Sequence, residues 1–206
     1  MPHLVLLGDS IFDNARYVPG EPDVVRQLRA VLPGGWTASL GAVDGVTTAS
    51  LAGQMARLPG DATHLVVSMG GNDALGASHL LYQSVGRVAD AVMLLAQAQA
   101  EFAARYDAAL DRVLAARLPT AICTIYDTPT RPEQQVIRTA LAVFNDVISR
   151  AAFSRGVPLI DLRLICSEDA DYANPIEPSA QGGQKMAGAI ARLAKSDWAL
   201  QVVAGS

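Results

Sequence analysis

One serine in this sequence stands where it could act as a nucleophile: Gly8-Asp9-Ser10, directly after the apolar run 4–7. A glycine-flanked serine at the end of a strand is exposed and close to backbone N–H groups, as attack on a carbonyl requires. Taken alone, the tripeptide reads more readily as an ordinary strand-to-helix turn with a capping serine. Two later loops change that reading. Asp44-Gly45 can offer a backbone N–H, and Gly70-Gly71-Asn72-Asp73 can offer the Asn72 side-chain amide. Ser10, Gly45 and Asn72 would together form an oxyanion hole for the charge that develops on a substrate carbonyl oxygen. Asp9 and Asp73 have plainer roles, bracing the nucleophile turn and tying down the asparagine loop.

The elements that must position these residues follow from hydrophobic periodicity. Apolar runs of strand length recur at 4–7, 36–40, 65–69, 121–126 and 157–160, with helical patterns between them. This alternation predicts an α/β fold with a five-stranded parallel sheet. The first, third and fourth runs are apolar throughout, so both faces of the sheet must be covered, giving three α/β/α layers. Pro22 and Pro132 suit helix starts, Ser179 suits an N-cap, and 80–118 reads as one long helix or two joined near 97–100. In such sheets ligands bind beyond the carboxyl ends of the strands, where Ser10, Asp44, Asn72, Asp127 and Asp161 fall.

With 206 residues, half of them hydrophobic, the chain can bury a sizeable core, and we expect a single domain over 1–206 with a frayed tail at 198–206. A net charge of −4, with 16 basic residues scattered along the chain, argues against a nucleic-acid partner. The longest apolar stretches fall short of the ~20 residues a bilayer demands, and the N-terminus lacks the features of a secretory signal. A cytoplasmic location is the expectation. Cys123 and Cys166 lie in apolar segments and read as buried, reduced thiols.

The loops match, in order, the blocks of a known family: the sequence resembles the SGNH or GDSL-type hydrolases. Gly8-Asp9-Ser10 resembles the nucleophile block, Gly45 in Leu40-Gly41-Ala42-Val43-Asp44-Gly45 the oxyanion glycine block, and Gly70-Gly71-Asn72-Asp73 the family's G-x-N-D. Asn174-Pro175-Ile176-Glu177-Pro178-Ser179-Ala180-Gln181-Gly182 stands where the family has D-x-x-H before a helix. The resemblance spans nearly the whole chain. It implies a flavodoxin-like sheet and hydrolysis of small carboxylic esters or O-acyl groups through an acyl-enzyme on Ser10, with no metal or cofactor. The alternative is a module of the same fold that binds a carboxylate or acyl ligand and turns it over weakly or not at all.

The departure from the family lies at the base, because Asn174 and Glu177 replace its Asp and His. The only histidines are His3 and His64, at the wrong end of the sheet, and His79, expected as a bystander at a helix start. A Glu can take a serine proton, but it becomes neutral where His becomes a cation. An Asn partner can then hydrogen-bond it without adding charge. An unperturbed Glu is a weak base, with a pKa of ~4.3 against ~6.5 for His, so Glu177 must be partly desolvated to work near neutrality. Its plainer reading is a solvated carboxylate near a helix N-terminus, and Asp161 or Asp171 would be the substitute acid if it points away.

Overall fold

The computed structural model describes residues 1–204. All the strands of its main sheet are parallel: β1 (His3–Gly8), β2 (Thr37–Leu40), β3 (His64–Ser68), β4 (Thr120–Cys123), β5 (Leu159–Ile160) and β8 (Val202–Val203), in the order β2-β1-β3-β4-β5-β8. The sequence predicts the first five. The sixth comes from the segment expected to fray: Val202 and Val203 pair with Leu159 and Ile160 at the sheet edge. Trp198, just before it, packs on the core and against the His64 ring, 4.8 Å between centroids. Partial burial of this indole anchors a stretch too short to read as a strand. Residues 205–206 lie outside the described part.

Helices cover both faces, each over its own apolar cluster. On one side α1 (Val24–Val31) and α7 (Ala180–Leu193) pack over Leu4, Leu6 and Val66; on the other α4 (Val88–Leu114) and α5 (Gln135–Arg155) pack over Val5, Leu7 and Val67. Successive strand residues thus point to opposite layers, which is why these strands are apolar throughout. Short helices α2 (Leu51–Met55), α3 (Gly71–Gly76) and α6 (Leu162–Ile165) follow strand ends, and a small hairpin, β6 (Tyr172–Asn174) with β7 (Glu177–Pro178), precedes α7.

Helix boundaries follow local chemistry. The Asp23 side chain accepts from Arg26 N–H (2.8 Å) to cap α1, Ser179 accepts from Gly182 N–H (3.2 Å) to cap α7, and Gly156 closes α5 in the left-handed conformation. The long pattern resolves as one unbroken α4 preceded by a 3-10 turn at Ser78–Tyr82. Its Ala-rich middle carries no glycine or proline to interrupt it.

Candidate active site

Ser10 follows the C-terminal end of β1, where β1 and β3 run closest. Gly8 pairs with Ser68, has φ +131°, and could not carry a Cβ, which would overlap the Ser68 carbonyl oxygen. Only glycine lets the chain turn there and deliver Ser10 to the sheet edge. The turn is clamped by a residue that sequence reading overlooked. Buried Gln54 accepts from Gly8 N–H (2.8 Å) and donates to the Gly8 carbonyl (2.7 Å), closing a two-bond ring on the backbone before the serine. Asp9 accepts from Ile11 N–H (3.2 Å), the bracing role expected of it.

Asn72 lies in the first turn of α3 and lines the same cavity as Ser10. Its amide donates one hydrogen to the Val46 carbonyl (2.8 Å), which fixes the side chain and leaves its second hydrogen for a ligand. Asp73 accepts from Thr48 N–H (3.0 Å) and the Thr48 hydroxyl (2.9 Å), so it ties the asparagine loop to the glycine loop. Gly45 is exposed in that glycine loop and does not line the cavity.

Glu177 starts β7 and turns inward. It is 4 % exposed and lines the cavity together with Ser10. Burial raises its pKa to about 7; the Ser10 hydroxyl opposes that rise, the Asp44 charge adds to it, and Tyr17 and Arg16 oppose it. The Ser10 hydroxyl is thus close enough to favour the charged carboxylate. No hydrogen bond of good geometry joins the two among the described residues, and Glu177 Oε2 is buried without a partner. Asp9, 2 % exposed, is the second acid beside the serine. Its pKa rises to about 7, first through burial and then, against the Ile11 N–H bond, through the charges of Glu177 and Asp73.

Asn174 does not reach Glu177 by its side chain. Its Oδ1 accepts from Ile176 N–H (2.9 Å), an Asx turn that shapes the loop between the paired residues Asn174 and Glu177. Tyr17, from a 3-10 turn at Ala15–Tyr17, favours the charged form of Glu177 but makes its hydrogen bonds to another acid. Its hydroxyl donates to the Asp44 carboxylate, 3.1 Å from each oxygen, and Arg16 pairs with the same carboxylate at 3.0 Å. Nothing in the spacing of Tyr17 betrays this role, because the turn that carries it has no periodicity.

The histidines and the alternative acids are occupied elsewhere. His3 bonds Asp61 (2.9 Å) and Ser39 (2.8 Å), His64 lies against Trp36 and Trp198, and His79 bonds the Gly76 carbonyl (3.0 Å) at the surface. None of them lines the cavity. Asp171 is paired with Lys185 (2.8 Å) and Asp161 is bonded by Arg163 and Thr124. Both cysteines are buried and free, and burial pushes both thiols up, Cys166 to about 12.

From Ser10 the cavity runs inward for about 270 Å³ between α3, α4 and α5, walled by Met69, Leu81, Leu95, Ile137, Leu141 and Phe144. Its lining is mostly apolar, with Ser10, Asn72 and Glu177 among the polar groups that interrupt it, as in a site that holds an apolar chain and orients it by a few polar contacts.

Residues 6–185 match the sequence profile of a family described as GDSL-like lipase/acylhydrolase. No curated sequence is similar enough to match the chain. Among solved structures, a lipase from a goat rumen metagenome superposes with a TM-score of 0.72 at 17% identity, covering 94% of this chain and 97% of that one. A phospholipase A1 from Streptomyces albidoflavus gives 0.67 at 19% identity, covering 95% and 99%. The psychrotrophic esterase EstA from Pseudoalteromonas sp., solved with monoethylphosphonate as inhibitor, gives 0.64 at 18% identity, covering 95% and 100%. At these identities the superpositions speak to the fold alone.

Proposed function

Because the chain belongs to the GDSL-like lipase/acylhydrolase family and is an ester-hydrolysing enzyme, we propose that it cleaves small esters through an acyl-enzyme on Ser10, with Glu177 as the base. The observation that carries this reading is that buried Glu177 and buried Ser10 line one mostly apolar cavity, to which none of the three histidines contributes. Ser10 Oγ attacks the ester carbonyl carbon as its proton passes to Glu177. The electron pair of the carbonyl moves onto oxygen, where the Ser10 backbone N–H and the free Asn72 N–H stabilise it by hydrogen bonds; Gly45, outside the cavity, takes no part. Collapse of this intermediate breaks the ester C–O bond, and the alkoxide leaves with the proton from Glu177. Water, deprotonated by Glu177 in turn, releases the acid and restores Ser10. Asn174 supports the set from outside by holding the turn that presents Glu177.

The direct test is a dialkyl fluorophosphonate. It should add one phosphonyl group to the wild type, located on Ser10 by peptide mass, and none to Ser10→Ala. An unlabelled wild type would leave the fold as a binding module for a carboxylate or acyl ligand.

The cavity also sets an acyl length. At ~30 Å³ per small group, the water-sized share of a liquid, its volume holds about nine such groups, room for an acyl chain of roughly six to eight carbons with its reacting head. Among p-nitrophenyl esters, kcat/KM should therefore rise about tenfold or more from acetyl to hexanoyl or octanoyl, since each buried methylene contributes ~0.8 kcal/mol, and fall again for dodecanoyl. A flat profile or an acetyl optimum would mean that the acyl chain binds elsewhere.

A further inference from the structure

We propose that the ester this enzyme cleaves carries a hydroxyl group, and that Tyr126 and Thr128 recognise it. This rests on the reading of Ser10 as a nucleophile for small esters and names the substrate class of that same cavity. The observation behind it is a concentration of buried polar atoms that the protein leaves unpaired. Among the described residues seven buried side-chain nitrogen or oxygen atoms have no hydrogen-bond partner, and four of them, Tyr126 Oη, Thr128 Oγ1, Gln134 Oε1 and Glu177 Oε2, belong to residues that line this one cavity. Tyr126 is 4 % and Thr128 5 % exposed. A buried polar group is almost always hydrogen-bonded, because one left unpaired has given up water and gained nothing in return.

Three of the four atoms come from one segment, between the end of β4 and the start of α5. That segment is fastened on both sides of Tyr126 and Thr128. Before them, Ile125 N–H donates to the buried Asn145 side chain (2.8 Å), whose amide donates back to the Ile125 carbonyl (2.8 Å); after them, the Thr130 N–H and hydroxyl both donate to Asp169, at 2.9 Å each. The Tyr126 ring also packs edge-on against Tyr172, 5.2 Å between centroids, in the hairpin that carries Glu177. The backbone is thus fixed, and the cavity is the direction from which a partner can come. A hydroxyl suits these groups because it both gives and takes a hydrogen: the phenol and the threonine can donate to its oxygen, and the Gln134 oxygen can accept from it. A plain hydrocarbon would leave all three unpaired. A carboxylate would bring no hydrogen for Gln134 and would repel the buried carboxyl of Glu177. The hydroxyl can stand on the alcohol, as in a glycerol ester, or on the acyl chain, as in an ester of a hydroxy acid.

Values of kcat/KM for two pairs of esters test this and separate the two sources: monooctanoylglycerol against propyl octanoate, and ethyl 3-hydroxyoctanoate against ethyl octanoate. One pair should favour its hydroxylated member about tenfold or more, since a site built to bond a hydroxyl rejects the analogue that lacks it. Tyr126→Phe and Thr128→Val should each bring that ratio towards one. Neither variant loses a hydrogen bond in the free protein, so both should melt at or above the wild-type temperature. A wild type without preference in either pair overturns the proposal, whether or not the variants fold. Equal losses on both members of a pair, or a fall in melting temperature, overturn it too, because the hydroxyls would then serve the fold. Should the wild type cleave none of the four, the acyl-enzyme reading fails first, and calorimetry of the same four compounds with Ser10→Ala decides the present inference. Tighter binding of a hydroxylated member supports it, and equal affinities within both pairs sink it.

Discussion

Glu177→Gln should lower kcat/KM by ~10⁴ or more, about as far as Ser10→Ala, and the two losses should not add in the double variant. Gln fills the same buried site and presents the same shape to the cavity, but it cannot accept the serine proton. Groups that act as one unit in proton transfer lose their joint contribution whichever of them is removed, so non-additivity is the sharper half of this expectation. In the wild type, activity should rise along one acidic limb near pH 7, where burial places the carboxyl, and Glu177→Gln should abolish that limb. Residual activity in Glu177→Gln that keeps the limb would transfer it to Asp9, whose pKa is raised to the same value. Rate measurements on purified variants across pH 5 to 9 decide among these outcomes.

The sheet was legible from the sequence because its strands are buried on both faces and read as unbroken apolar runs. The nucleophile and asparagine loops were legible because a strand end followed by Gly-Asp-Ser or Gly-Gly-Asn-Asp is local chemistry: Gly8 must be glycine to clear Ser68, and Asp73 must be acidic to bind Thr48. What escaped was contact between distant segments. Gln54 clamps Gly8 across 46 residues, and Tyr17 meets Asp44 across 27, separations that no periodicity encodes. The C-terminal strand escaped for a related reason, since Val202–Val203 has two residues and gains its order from the β5 edge and from Trp198. Asn174 shows the limit of position by analogy: the loop is the family's loop, yet its side chain serves the turn and not the base.

Asp9→Asn should stabilise the fold at pH 8 by on the order of 4 kcal/mol, while leaving stability at pH 4 nearly unchanged. The sign follows from protonation in the two states. Asp9 rises from 3.8 in its ordinary setting to about 7 in the fold, so between those values the folded protein holds a proton that the unfolded chain has lost. Stability from this group is full below pH 4 and is lost as the pH climbs through 7. Asn mimics the protonated acid, keeps an oxygen for Ile11 N–H, and removes the dependence. Elsewhere in the fold buried acids are compensated. Asp171 has Lys185, and although burial works against Asp161, the Arg163 guanidinium holds it below the usual carboxylate range. Among the described residues, Asp9 and Glu177 are the two buried acids without a salt bridge, and both line the cavity with Ser10. Amides in their place would carry no such electrostatic cost, and that cost falls where the proton transfer proposed above would need it. Urea or thermal unfolding of the wild type and Asp9→Asn at pH 4 and pH 8 is the check. If the variant is no more stable than the wild type at pH 8, Asp9 is charged in the fold, and its charge would have to be balanced by a contact that the present geometry lacks.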